Sequence, residues 1–338
     1  MDPADPYAHV DPELRPVMEA YLAAMGGLSG LPAAELIAAF RSRGSLFTKP
    51  FLAAPAVERR VIPGPRDAPD LIVHVINPSP GARKPGILHL HGGGFIVGSA
   101  EGSVADLQAE AEALDAVIVT VEYRLAPETA HPGALEDNHA ALVWMAGCAE
   151  ELGLDPARIA VQGESAGGGH AAMLALAARD RGEAELCFQC LTYPMLDDRT
   201  GTTRDPPAHI GTLLWTRELN RIGWEALLGR PPGGEGPGPA PARAADLRGL
   251  PPAFIAVGDI DLFVEEDLVY AGRLVAAGVP VELMVLPGAP HGFHAFNPEA
   301  SVSRRFRLAH INALARALGR PELVAPPPLP PMAPVGGG

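Results

Sequence analysis

Short apolar runs that read as β-strands alternate along most of this 338-residue chain with segments of helical periodicity. Eight runs carry the strand pattern: 57–64, 71–78, 86–93, 116–124, 158–165, 185–194, 253–261 and 279–288. Several of them are continuously apolar and rich in Val and Ile, which is typical of strands buried on both faces of a sheet. Alternating strands and helices build a mainly parallel sheet that helices cover on both faces. The sequence therefore predicts an α/β fold.

The start of this pattern differs from the rest. The first two or three strand-like runs follow one another without a helix between them, so we expect that edge of the sheet to be antiparallel. Farther along, the segments 132–150 and 265–277 each place their apolar residues on one helical face, as helices that cover a sheet should.

Segments outside the alternation predict a cap and a tail around one main α/β domain. Residues 1–46 carry two helical patterns and are predicted to form N-terminal cap helices. The main domain is predicted over 47–320, with a mostly helical cap insert at about 195–229. Residues 321–338 are rich in Pro and Gly and are predicted to be disordered, the alternative being a polyproline ligand.

The charge balance of the chain indicates which kinds of binding partner to expect. The chain has 26 Lys and Arg against 40 Asp and Glu, a formal charge of −14. An acidic surface repels nucleic-acid phosphates and anionic lipids, so we expect neither nucleic-acid binding nor stable membrane association. The N-terminus lacks a basic region followed by an apolar stretch, and no run reaches the roughly 18 apolar residues of a membrane helix. We therefore predict a cytoplasmic protein that acts on neutral small molecules.

The strongest local motif lies at the end of the strand 158–165. It reads Gly-Glu-Ser-Ala-Gly, a G-x-S-x-G sequence between an apolar strand and an alanine-rich helix. In such a turn Ser165 is held clear of the sheet, and Gly163 and Gly167 remove the Cβ atoms that would clash there. The alternative is an ordinary glycine-rich turn or a phosphate loop, but no Lys follows to complete a Walker motif. Ser165 is the predicted nucleophile.

A second glycine-rich segment, HLHGGGF at 89–95, follows another predicted strand. Attack on an ester places negative charge on the carbonyl oxygen, and free backbone amides stabilise that charge best when they need not reorganise. We assign the oxyanion donors to Gly92, Gly93 and Ala166. His89 and His91 suggest a metal site as the alternative, but no clustered Asp, Glu or Cys supplies further ligands. We therefore predict no metal.

A serine nucleophile needs a base, and the base needs an orienting carboxylate. In the hydrolase order, acid and then histidine follow the serine. We assign the acid to Asp261, just past an apolar strand, with Asp259 as the alternative; residues 265–267 are interpreted as the acidic start of a helix. His291, in a loop rich in Gly and Pro, is the predicted base, and His294 is interpreted as a surface or capping histidine.

These segments together resemble the hormone-sensitive lipase-like carboxylesterases, the bacterial family IV esterases. The motifs that carry the resemblance are HGGGF (91–95), YRLAPE (123–128), HPGALED (131–137), GESAGG (163–168), YP (193–194), LPPAFIAVGDIDLF (250–263) and HGF (291–293). The resemblance implies an α/β-hydrolase fold with an eight-stranded sheet, a cap made from the N-terminus and an insert after the sixth strand, and no cofactor. It also implies a homodimer formed through the sheet edge, as is frequent in the family.

Two departures from the family pattern stand out. Glu164 occupies the position where the family usually has Asp, which changes local hydrogen bonds without removing the chemistry. The usual acid motif D-P-L-R-D-E reads D-L-F-V-E-E here at 261–266, and its first residue, Asp261, carries over as the triad acid.

The function that the resemblance implies is hydrolysis of short- to medium-chain acyl esters by a Ser-His-Asp triad through an acyl-enzyme. Candidate substrate-binding residues lie in the oxyanion loop and the cap insert: Phe95, Met195, Leu213, Leu214 and Trp215. Two alternatives stay open. One is a catalytically silent small-molecule binding protein, since a plant hormone receptor resembles this family but lacks the catalytic histidine. The other is an amidase or deacetylase that uses the same triad.

Overall fold

The computed structural model describes residues 5–24, 30–44, 49–236 and 238–330. Within them, one eight-stranded sheet has the strand order β1-β2-β4-β3-β5-β6-β7-β8. The strands are β1 Val57–Ile62, β2 Leu71–Ile76, β3 Lys84–Leu90, β4 Val117–Glu122, β5 Leu154–Glu164, β6 Phe188–Thr192, β7 Ala253–Gly258 and β8 Val281–Leu286. The pairs β1–β2 and β2–β4 are antiparallel and all other neighbours are parallel, so the predicted mainly parallel sheet is confirmed.

Helices cover both faces of this sheet. They are α1 Arg15–Ala24, α2 Ala33–Gly44, α3 Ala100–Leu114, α4 Gly133–Gly147, α5 Ala149–Leu152, α6 Ala166–Arg181, α7 Arg217–Leu228, α8 Val264–Ala276, α9 Phe293–Phe296 and α10 Ser301–Ala317. Helices α3 and α10 pack on one face, and α4, α6 and α8 pack on the other. None of the helices in the described ranges has the length and apolar character needed to cross a bilayer.

Alternation of side chains along each strand divides the core into two layers. In β4, Val119 and Val121 point to the face covered by α4 and α6, whereas Ile118 points to the face covered by α3 and α10. In β3, Leu88 and Ile87 divide in the same way. Because the central strands are parallel, the loops after β3, β5, β7 and β8 all emerge at one edge of the sheet, where the candidate residues meet.

The insert after β6 is less helical than predicted. Within 195–229 only α7 is a helix, and residues 195–216 form turns and bends. Prolines at 206 and 207 and left-handed glycines at 201 and 211 prevent a regular helix there. On the N-terminal side, Arg41 of α2 donates to the backbone oxygens of Ile96 and Ala126, which holds α2 over the glycine-rich loop.

The predicted disordered tail begins with an ordered part. Asn312 of α10 exchanges two hydrogen bonds with the backbone of Leu323, and the Arg307 guanidinium donates to the backbone oxygen of Pro327. Residues 321–330 therefore pack along α10, which corrects the prediction for this part of 321–338. A proline-rich segment can be held in this way because its carbonyl oxygens still accept hydrogen bonds. Residues 331–338 lie outside the described residues.

Candidate active site

Ser165 lies in the tight turn between β5 and α6. Its backbone has φ 57° and ψ −121°, a conformation that residues other than glycine rarely adopt. A Cβ added at Gly163 would lie 2.4 Å from the backbone of Gly167, and one added at Gly167 would lie 2.0 Å from the backbone oxygen of Leu90. Both glycines are therefore required by the close approach of the turn to β3, as the motif predicts.

The structure brings Ser165, His291 and Asp261 into one line of contacts. The His291 Nε2 atom lies 2.9 Å from Ser165 Oγ, and the Nδ1 atom lies 2.8 Å from Asp261 Oδ2. The other oxygen of Asp261 accepts a hydrogen bond from the Phe263 amide at 3.0 Å. The alternative acid, Asp259, instead accepts from the Gly288 amide at 2.7 Å and so braces the loop after β8.

Aromatic rings pack around the imidazole of His291. The ring centres of Tyr193, Phe263 and Trp215 lie 4.6, 5.2 and 6.2 Å from that of His291. Asp261 is only 1% exposed behind this group. The rings exclude water from the carboxylate–imidazole contact, which strengthens it electrostatically.

Of the three residues assigned to the oxyanion site, Ala166 follows Ser165 directly and Gly92 packs against it. Ala166 is the first residue of α6, so its amide has no acceptor within the helix. In the described part of the chain, the amides of Gly92 and Gly93 donate no loop or turn hydrogen bond. A Cβ at Gly92 would lie 2.9 Å from the backbone oxygen of Glu164, so this loop packs directly on the turn that carries the serine.

His91 shapes the glycine-rich loop. Its ring stacks on Tyr123 with 4.2 Å between centres, and its Nδ1 lies 2.8 Å from the backbone oxygen of Gly92. Burial lowers the pKa of His91 to about 4, so the ring is neutral at pH 7 and donates this hydrogen bond through Nδ1. The described residues contain no cluster of three metal-ligating side chains.

Three of the five predicted substrate-binding residues are buried in the core. Phe95 and Met195 are 1% and 0% exposed and pack with Trp224 beneath the cap, and Leu213 is also buried. Phe95 and Met195 therefore have almost no surface through which to contact a substrate, whereas Leu213 keeps 5% exposure; the substrate-binding roles of these three residues stay a prediction. The remaining two, Leu214 and Trp215, are partly exposed, and the Trp215 ring lies on Gly94 of the oxyanion loop.

His294 also differs from its interpretation as a surface or capping residue. Its Nδ1 lies 3.3 Å from the hydroxyl of Tyr193, and burial lowers its pKa to about 3. Tyr193 thus contacts His291 through its ring and His294 through its hydroxyl. Sequence reasoning found Tyr193 only as part of the Tyr-Pro motif, because nothing in its local pattern shows that β6 delivers it to the histidine loop.

Comparisons with known proteins agree with this architecture. Residues 87–295 match the family described as α/β hydrolase fold. The chain belongs to this family. It is 39% identical over 216 residues to esterase LipI of Mycobacterium tuberculosis, covering 63% of this chain and 66% of that protein. It is 38% identical over 244 residues to carboxylesterase NlhH of the same species, covering 69% and 74%.

Solved structures give the same result. A bacterial heroin esterase superposes with a TM-score of 0.79 at 36% identity, covering 93% of this chain and 99% of that one. The predicted α/β-hydrolase fold and the resemblance to hormone-sensitive lipase-like carboxylesterases are confirmed. The enzyme class, a carboxylic ester hydrolase, is confirmed by the same relatives.

Proposed function

We propose that this esterase hydrolyses short- to medium-chain acyl esters, with Ser165 as nucleophile, His291 as general base and Asp261 as the orienting acid. The observation that carries the proposal is the continuous line of contacts from Ser165 Oγ through His291 to Asp261, at 2.9 and 2.8 Å. These distances lie within the range in which an imidazole can take the serine proton.

Acylation would begin with attack of Ser165 Oγ on the ester carbonyl while His291 Nε2 takes its proton. The negative charge that develops on the carbonyl oxygen would be stabilised by the amides of Gly92, Gly93 and Ala166, each of which is typically worth about 10²–10³ in rate. Asp261 would stabilise the imidazolium through Nδ1. His291 would then protonate the departing alcohol, leaving the acyl group on Ser165.

Deacylation would reverse these roles with water as the nucleophile. His291 would take a proton from water, the hydroxyl would attack the acyl carbonyl, and Ser165 would recover its proton as the carboxylic acid leaves. The same three amides would hold the second oxyanion. No further group is needed, which fits the prediction of hydrolysis without a cofactor.

The packing under the cap supports the size class of the acyl group. Phe95, Met195 and Trp224 fill the space next to the glycine-rich loop, and their own side chains have almost no accessible surface. Trp215, lying on Gly94, and the neighbouring Leu214 supply partly exposed apolar surface near His291. Because the core beneath Leu214 and Trp215 is filled, we expect the site to accept short and medium acyl chains better than long ones.

The test compares Ser165→Ala with Ser42→Ala, a control on the exposed surface of α2. On p-nitrophenyl esters from acetate to palmitate, we expect the Ser165→Ala enzyme to lose about 10⁵–10⁶ in kcat. The Ser42→Ala enzyme should match the wild type, with the highest kcat/KM on short and medium chains. A fluorophosphonate probe should label every protein except the Ser165→Ala variant.

Three results would overturn the proposal or redirect it. Near-normal activity of the Ser165→Ala enzyme would exclude the serine. A wild-type protein that reacts with no probe and no ester would favour the silent binding protein. Faster cleavage of p-nitroanilides than of esters would favour an amidase on the same triad.

A further inference from the structure

A row of three polar side chains crosses the ends of three neighbouring strands behind the nucleophile. His89 of β3 lies between Thr120 of β4 and Glu164, the last residue of β5. The His89 Nδ1 atom is 2.8 Å from Thr120 Oγ1, and its Nε2 atom is 3.3 Å from Glu164 Oε2. His89 and Thr120 are 1% and 0% exposed, so this row is a built part of the interior.

The row ends where both catalytic loops begin. His89 lies three residues before Gly92, and Glu164 immediately precedes Ser165. The backbone of Glu164 also contacts the loop, because a Cβ at Gly92 would lie 2.9 Å from the Glu164 oxygen. Glu164 therefore touches the strand and loop of the oxyanion site at two points, through its backbone and through its carboxylate.

A separate anchor acts from the opposite face of the sheet. There the Tyr123 hydroxyl donates to the backbone oxygen of His91 at 2.5 Å, and the two rings stack. On the face covered by α3 and α10, this strand end is held through the contacts of His89 with Thr120 and Glu164. The loop that carries the proposed oxyanion amides is thus held from both faces.

The environment of Glu164 favours a charged, oriented carboxylate. Its accessible part faces a cavity of about 330 Å³ between α3, α10 and the C-terminal segment 327–330. Desolvation opposes ionisation there, but His89, with smaller contributions from His294 and His310, outweighs it and lowers the pKa of Glu164 to about 2. A fixed charge beside a fixed imidazole makes a stiff connection between β3 and β5.

We infer that Glu164 and His89 are positioning residues that fix the distance between the amides of Gly92 and Gly93 and the Ser165 hydroxyl. The inference rests on the proposed function of those amides. It also gives a reason for Glu rather than the family's usual Asp at 164. The side chain just reaches His89 at 3.3 Å, and a carboxylate shorter by one C–C bond, about 1.5 Å, would lose the contact.

The key variants are Glu164→Asp, which keeps the charge but loses the reach, and His89→Phe, which keeps a planar ring without hydrogen bonds. We expect each to lower kcat about tenfold, with KM within twofold of wild type, because small displacements of catalytic groups cost up to about 10² in rate. His89→Gln keeps a hydrogen-bond donor at the Nε2 position, so this variant should keep most of the wild-type kcat that His89→Phe loses. Glu110→Gln, which removes another carboxylate of the same cavity, is the matched control and should match the wild type.

A trifluoromethyl ketone gives a readout specific to the oxyanion. Ser165 Oγ adds to its carbonyl carbon, the serine proton passes to His291, and the former carbonyl oxygen becomes an anion that the same amides must hold. We expect Ki for this inhibitor to rise by the same factor as kcat falls. The double variant Glu164→Asp/His89→Phe should be no worse than the worse single variant, because both remove one contact.

The outcomes separate this inference from the proposed function. If Glu164→Asp and His89→Phe keep wild-type kcat and Ki, or if their effects add in the double variant, the positioning role is wrong. If instead Ser165→Ala stays active, the proposed function itself fails. Thermal melting identifies any variant that does not fold, and Thr120→Val, which removes the contact to His89 Nδ1, then tests the same row from its other end.

Discussion

Two carboxylates that follow β7, Asp261 and Asp267, are about equally buried but differ in their hydrogen-bond partners. Asp261 is 1% exposed and Asp267 is 0% exposed. Asp261 contacts His291 and accepts from the Phe263 amide. Neither oxygen of Asp267 has a hydrogen-bond partner in the described structure, and burial, together with Glu266 and Asp261, raises the pKa of Asp267 well above its usual value. Partners, and not burial, decide which acid can serve the histidine.

Glu266 lies between these extremes. Its Oε1 atom accepts hydrogen bonds from the amides of Leu196 and Asp197, at 2.6 and 3.1 Å, and so fixes the start of the cap insert on α8. Burial raises the pKa of Glu266 well above its usual value, although the hydrogen bonds oppose this shift. One short segment thus contains the proposed triad acid, a carboxylate that holds the backbone of the cap insert and a carboxyl without a hydrogen-bond partner, and each role can be tested by an isosteric amide.

Among the variants of these three carboxylates, Asp261→Asn is expected to have the largest effect. An amide at 261 would present an N–H group to His291 Nδ1 and favour the wrong tautomer, so we expect kcat to fall by about 10⁴ at pH 7–8. The melting temperature should change little because the side-chain shape is kept. Ester hydrolysis and thermal unfolding of this variant and of Asp267→Asn, measured side by side, check the contrast. A loss of less than tenfold would remove Asp261 from the triad.

The second effect is one of stability. Glu266→Ala leaves two buried backbone amides without an acceptor, and each costs about 1–3 kcal/mol, so we expect the free energy of unfolding to fall by about 2–6 kcal/mol. Glu266→Gln keeps the accepting oxygen and is the matched control. Chemical denaturation of both variants measures the difference. Equal stability of the Ala and Gln variants would mean that the amides of Leu196 and Asp197 do not depend on Glu266.

The sequence predicted the parts of the site that local chemistry specifies. The spacing of Gly163 and Gly167 around Ser165 is a steric requirement of one turn, and the positions of the strands along the chain follow from apolar periodicity. The choice between Asp261 and Asp259 could be argued only from their distance past the strand. What separates them is a long-range contact, the hydrogen bond from Gly288 to Asp259.

The cap was predicted less well because its contacts are distant in sequence. Asp198 pairs with Arg243, 45 residues away. This long-range ion pair, together with the prolines and left-handed glycines within 195–216, shapes a part of the insert that was predicted to be mostly helical. Phe95 and Met195 face inward because they pack with Trp224, which is distant from Phe95 in the sequence. An apolar residue near a predicted site has the same pattern whether it faces the core or the substrate.

The smallest expected effect is a gain in stability from Asp267→Asn. Asp267 releases its proton at about its ordinary pKa when the chain is unfolded, but at a much higher pH when it is folded. Above the unfolded value the unfolded state therefore binds fewer protons, and the stability of the wild type falls as the pH rises. Asp267→Asn removes this pH-dependent loss of stability, because an amide does not ionise. We expect its melting temperature to equal that of the wild type near pH 4 and to exceed it by about 1–3 °C at pH 8.

The control for this variant is Glu265→Gln in the same helical turn. Glu265 is exposed at the positive end of α8, so its loss should lower stability slightly and give no advantage at pH 8. Activity of the Asp267→Asn enzyme should stay within twofold of wild type. A stability gain that does not grow with pH would mean that Asp267 is charged in the folded protein. A fall in kcat close to that of Asp261→Asn would mean that both buried acids serve His291, and the contrast between them would be lost.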